Sequence, residues 1–277
     1  MAHRGQKLNR EFSDENRTLQ MMVAELSFFV GDDSLAEAVE DGIIYLLGAL
    51  RRNGQILGWE LPLAKTPNGY LAPGMLPASD SLNQRHWNLY VTQRMEELCK
   101  LGAGVPSVNI IGPESTGCEP CQCKARMALL LFTTYICLES PLRCLTCFLP
   151  VPLYEIPPTQ SEEYGDIISW ESNYKACDTL QMNCAVGERF GTRQLSALNS
   201  PLTIQGRDIC AKITASIKLP VYYYLYRDTG RSDQAERARL CPSCGGSWLR
   251  SESLHGKFDF QCDQCQLLSN IAWSLRK

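Results

Sequence analysis

CPSCGGSWLRSESLHGKFDFQCDQC, residues 241–265, places two Cys-x-x-Cys pairs around a stretch that reads as two short strands. Two thiolates three positions apart in a tight turn can share one metal ion at about 2.3 Å each, and a second pair completes a tetrahedron. Gly245-Gly246 permits the positive φ that such a turn usually needs. Residues 247–250 and 257–261 can form a hairpin, with Trp248, Phe258 and Phe260 as its apolar faces. Cys241, Cys244, Cys262 and Cys265 are therefore expected to hold zinc in a four-cysteine ribbon. Four cysteine ligands leave no position for water, so that zinc is structural. A module this small buries too little surface alone, and bound zinc adds roughly 10–16 kcal/mol of apparent binding free energy. His255 lies between the pairs and reads as a hairpin-tip residue, since four cysteines already complete the set.

The rest of the chain is ordinary in composition: 277 residues, 44% hydrophobic and 21% charged. Its length suits one large domain or two smaller ones with a module. The longest apolar run, residues 128–138, is too short to span a bilayer and reads as a buried strand or short helix. The polar N-terminus lacks the apolar centre of a signal peptide. A cytoplasmic location is expected, where fourteen cysteines act as thiols and metal ligands rather than disulfides.

Residues 1–20 read as a disordered tail. Residues 21–113 read as strand (25–31), helix, strand (55–63), long loop (64–83), helix and strand (105–111), a small sheet with packed helices. Ser34 and Glu37 have capping-box spacing at the first helix, and Leu35, Val39, Ile43, Leu46, Leu47 and Leu50 share one face of it. Residues 114–235 read as a mixed α/β region. A proline-rich extended segment (141–158) crosses its surface, two or three helices span about 161–217, and VYYYLY (221–226) forms a strand. Residues 228–239 read as a polar linker, and 236–277 is the ribbon. The fold class is α+β.

A second cysteine group lies upstream. Cys118 and Cys121 form one pair, Cys144 and Cys147 another, and Cys123 sits beside the first. Cys118, Cys121, Cys144 and Cys147 make a candidate second metal site. CEPC follows a Gly/Pro/Ser-rich loop rather than opening a helix after a strand, which argues against a thioredoxin-like dithiol. Cys99, Cys137, Cys177, Cys184 and Cys210 read as plain buried thiols.

CPSCGG, FDFQCDQCQLLSNIAW (258–273) and PVYYYLYR (220–227) together resemble a bacterial family described as zinc-ribbon-containing candidate nucleic-acid binders. PLRCLTCFLPVPLYEIP (141–157) and RRNGQILGWE (51–60) are similar to it too. Some members resemble immunity proteins encoded beside polymorphic or type VI secretion toxins, including nucleases. The resemblance implies either a protein that sequesters such a toxin or a nucleic-acid-binding regulator.

Charge favours the first. Residues 241–277 hold four bases and three acids, and a four-thiolate zinc centre adds −2, so the ribbon carries about −1 and gains little from phosphate. Tyr222, Tyr224 and Tyr226 share a strand face that could stack bases or line a core. Asp32, Asp33, Glu37, Glu40 and Asp41 lie within ten residues, and Glu155, Glu162, Glu163 and Asp166 form a second acidic group. Each can be a solvated helix start or a phosphate-mimicking patch for a basic nuclease. Phosphate-loop, nucleophile-elbow and zinc-protease motifs are missing, and the three histidines form no constellation, so a non-enzyme is expected. The expected partner is a nuclease-type effector, with no membrane association; a homodimer stays open.

Overall fold

The computed structural model describes residues 20–30, 35–58 and 61–276. Alternation in MVAELSFF makes β1 (Met22–Phe29), whose Ala24, Leu26 and Phe28 point into a core. α1 (Ala36–Arg52) lays Val39, Ile43, Leu46 and Leu50 on that face. β2 (Ala64–Thr66) and β3 (Gly69–Leu76) form a hairpin. α2 (Leu89–Lys100), capped by Asn88, adds Val91, Met95 and Leu98. β4 (Ser107–Pro113) closes an antiparallel sheet in the order β2-β3-β1-β4. This βαββαβ chain with two helices on one face has ferredoxin-like topology.

Residues 55–63 form no strand among the described ones: Leu57 makes a single bridge to Met75. The Asn53 and Gln55 side chains instead turn inward, Asn53 to Gln55 Oε1 at 2.8 Å and Gln55 to the Ser81 carbonyl at 2.6 Å. The supposed loop 64–83 contains β3, which pairs with β1 along its whole length. Pro73 hid it. That proline is tolerated because β2 covers only residues 69–71 and Leu57 bridges only Met75, which leaves Pro73 unpaired on that side. Gly69, at φ 139°, makes the turn, and a Cβ there would strike the Phe28 carbonyl. Residues 1–19, with the expected tail, and Ser34, with the expected capping box, lie outside the described residues.

The second sheet has six strands: β5 (Leu129–Leu131), β6 (Leu142–Cys144), β7 (Val221–Leu225), β8 (Leu249–Leu254), β9 (Phe258–Cys262) and β10 (Leu267–Ser269). Their order is β6-β5-β7-β10-β9-β8. Three helices, α3 (Gly165–Asn183), α4 (Glu188–Ser196) and α5 (Pro201–Ile217), cover one face around Trp170, Ile209 and Tyr223. Segment 141–158, expected to cross the surface, instead contributes the buried strand β6. The ribbon hairpin does not stand apart, because β10 pairs in parallel with β7 and makes the sheet continuous. Burying its apolar edge this way supplies core that so short a hairpin lacks.

Phe148 and His255 stack over the other face, and His255 Nε2 lies 2.8 Å from the Leu145 carbonyl, so His255 is no metal ligand. The polar linker contains a short helix, α6 (Asp233–Arg237), whose buried Glu236 bridges Arg227 at 2.7 Å and Arg239 at 3.0 Å. No helix among the described residues is long and apolar enough to cross a membrane.

Candidate metal centres

A Cys-x-x-Cys turn presents its first sulfur to the N–H groups two and three residues on. Backbone donors from Thr146 and Cys147 serve Cys144, and Ser243 and Cys244 serve Cys241. The turn closes when the residue after the second cysteine becomes left-handed. Phe148 (φ 62°), Gly245 (φ 73°) and Gln266 (φ 51°) all do so. Phe148 N–H then bonds the Cys144 carbonyl at 2.9 Å, and Gly245 N–H bonds that of Cys241 at 2.8 Å. Three such turns therefore stand on CLTC, CPSC and CDQC.

These turns build two four-sulfur groups. Cys241, Cys244, Cys262 and Cys265 lie with their sulfurs within 4.8 Å of one another, and so do Cys121, Cys123, Cys144 and Cys147. Metal–sulfur bonds of 2.3 Å in a tetrahedron require sulfur–sulfur edges of about 3.8 Å. Cys244 and Cys262 stand 3.7 Å apart, and all fourteen cysteines are free thiols. The dimensions fit a tetrahedral metal ion and exceed a disulfide bond by far.

The second group differs from the expected one by a single residue: Cys123 replaces Cys118. The reason lies in CEPC. The position two after Cys118 is Pro120, which has no N–H to offer a sulfur. Gln122, after Cys121, is not left-handed. Residues 121–123 instead form neither helix nor strand, with Cys123 N–H 3.4 Å from the Cys121 sulfur. Cys118 sits near Glu139 and Arg143, and burial followed by the Glu139 carboxylate pushes its thiol up.

The electrostatics are those of grouped thiols. The Gly246 N–H and neighbouring sulfurs lower Cys244 to about 7. Burial opposes ionisation of Cys144, yet the Cys147 and Thr146 N–H groups outweigh it and bring it to about 7. Burial pushes Cys147 and Cys262 up to about 12. One sulfur in each set is thus ready to ionise, and a bound cation would draw the protons from the others.

Both groups occupy the same end of the six-stranded sheet. Cys144 ends β6 opposite Leu129, and Cys262 ends β9 opposite Leu267. Four strand spacings separate β6 from β9, or about 19 Å. Each group ties a hairpin to the chain before it: β5–β6 for the first, β8–β9 for the second.

Other candidate residues divide by environment. Glu37, Glu40 and Asp41 sit on the exposed side of α1; Asp32 and Asp33 lie outside the described residues. Glu40 accepts a hydrogen bond from Tyr70 at 2.9 Å. Ile44 and Tyr45 lie beside these acids, 50% and 59% exposed, an apolar pair that charge patterning alone does not reveal. The second acidic group is largely spent: Glu155 pairs with Arg126, Glu163 with Arg52 at 2.8 Å, and Asp166 with Lys212 at 3.5 Å. Tyr222 and Tyr224 are buried, so neither can stack a base. His86 Nε2 faces the Arg85 guanidinium at 3.0 Å and its ring packs on Tyr154; no nucleophile engages it among the described residues.

Three family models match in tandem, each described as a domain of unknown function: DUF8589 over residues 21–112, DUF2310 over 123–226 and DUF8594 over 230–275. An uncharacterized protein of Haemophilus influenzae is 34% identical over 228 residues, spanning 81% of this chain and 87% of the relative. A second uncharacterized protein of the same organism is 39% identical over 145 residues, 52% of this chain and 71% of that one. No solved structure matches.

Proposed function

The chain belongs to the family of the longer-matching Haemophilus influenzae protein, and we propose that it is a non-enzymatic binding protein whose fold is clasped by two structural zinc ions. Four thiolates in tetrahedral dimensions suit zinc, and complete sets leave no open position for chemistry. The partner is a basic protein, of the kind a nuclease toxin presents, and the protein acts on it as an immunity protein does, by sequestration.

One observation carries the partner reading. The outer side of α1 joins unpaired acids, Glu37 and Asp41, to the exposed Ile44 and Tyr45; no ion pair engages the two carboxylates among the described residues. Apolar anchors ringed by charge suit a protein surface better than a phosphate backbone. Two four-thiolate zinc centres would add four negative charges to the formal −3, further disfavouring nucleic acid. Burial of Tyr222 and Tyr224 removes the stacking platform that the nucleic-acid reading required.

The test is co-expression with the product of the adjacent gene, scored for complex formation and protection from toxicity. Asp41→Lys should slow association, and Tyr45→Ala should weaken the complex at least tenfold, as loss of an aromatic anchor does. Failure of the unaltered protein to bind or protect would overturn the reading.

A further inference from the structure

The six-stranded sheet leaves a cavity of about 510 Å³ between its uncapped face, the C-terminal half of α3 and the 132–136 turn. That volume lies within the range of small-molecule sites. Tyr135, Tyr174, Tyr224, Phe258 and Trp273 wall it, Asp178 and Gln181 of α3 enter from one side, and Asp228 and Lys257, of opposite charge, also line it. The two polar residues face the same cavity because they lie three positions apart on a helix.

Both are more than nine-tenths buried, and both lack what burial demands. Gln181 Oε1 is enclosed and has no hydrogen-bond partner. Asp178 accepts the Tyr135 N–H at 2.8 Å, but no Lys, Arg or His pairs with it among the described residues. A buried carboxylate without a counter-charge is costly, as is a buried amide oxygen without a donor. Burial, partly offset by the Tyr135 N–H, raises the Asp178 carboxyl. The lip is apolar as well: Ile136 is 69% exposed, Met182 48% and Trp273 43%.

We infer that this cavity binds a small organic cation with a flat apolar body, its charged nitrogen donating to Asp178. The Asp178 carboxyl accepts one hydrogen bond and has no basic partner, so the ligand must bring a donor. Tyr135 and Trp273, the exposed rings of the wall, can stack on a flat body, and aromatic faces attract a cation. A cation would also supply the missing counter-charge. The cavity contains none of the cysteine ligands, and the inference does not depend on the partner proposed for α1.

Benzamidine and its neutral isostere benzamide, titrated by calorimetry into the full-length metal-loaded protein, test it. Benzamidine should bind at least tenfold tighter than benzamide. Asp178→Asn, which keeps an acceptor for the Tyr135 N–H, should abolish that preference. Trp273→Ala, at the exposed lip, should weaken benzamidine several-fold with the circular dichroism unchanged. Equal affinity for the two probes, no binding of benzamidine at millimolar concentration, or a preference that survives Asp178→Asn would each overturn the inference.

Discussion

Pro120 shows how much one residue decides. Cys118 and Cys121 have the spacing of a metal turn, but the proline removes the N–H that would face the first sulfur, and the chain enlists Cys123 instead. Cys123→Ser should lower bound metal by one equivalent per chain, measured by elemental analysis, whereas Cys118→Ser should leave it unchanged. Cys262→Ser should remove one equivalent from the other centre. The signal was present in the sequence, because a proline two positions after a cysteine is incompatible with that turn. Glu236 makes a second residue-scale case. It read as part of a polar linker, yet it holds Arg227 and Arg239 together, with Arg239 over the Phe260 ring at 4.4 Å. Glu236→Ala should cost about 3–5 kcal/mol in denaturant unfolding, because it leaves two arginines near an apolar core without their carboxylate.

Among the elements, α5 and β3 had opposite fates in the sequence. The isoleucine spacing of α5 was plain, and Ser200 with Pro201 starts it as both residue types favour. Its closeness to the sheet was not plain. Gly206 presses on Trp170 and Tyr223, where a Cβ would enter both rings. Gly206→Ala should therefore lower stability by about 1–3 kcal/mol or more despite a gain in helix propensity, and thermal unfolding would show it. β3 was hidden by Pro73 and by two glycines, residues that signal a loop locally. Its pairing with β1 over eight positions prevails, since ladder bonds and the buried Tyr70, Ala72 and Leu76 outweigh weak propensity.

At the scale of the whole molecule, both four-cysteine groups lie with the second sheet. The core of the first sheet, from Ala24 to Ala103, contains none of these cysteines. Chelation with a strong zinc ligand should release two equivalents and expose residues 121–147 and 241–269 to hydrogen exchange. Residues 22–113 should stay protected. Loss of protection throughout would show instead that the halves unfold as one, through the Arg52–Glu163 pair and the Ser81–Tyr154 contact.

By itself the sequence determined the α+β class, the ribbon cysteines and the principal helices, because spacing and periodicity are local properties that short-range geometry reads directly. Tertiary structure alone decided that Cys123 belongs to the second group, that β10 joins the ribbon to β7, and that Asp178 and Gln181 meet a wall of aromatic rings. Those outcomes depend on contacts between residues tens of positions apart, where burial of shared surface overrides what each segment would prefer alone.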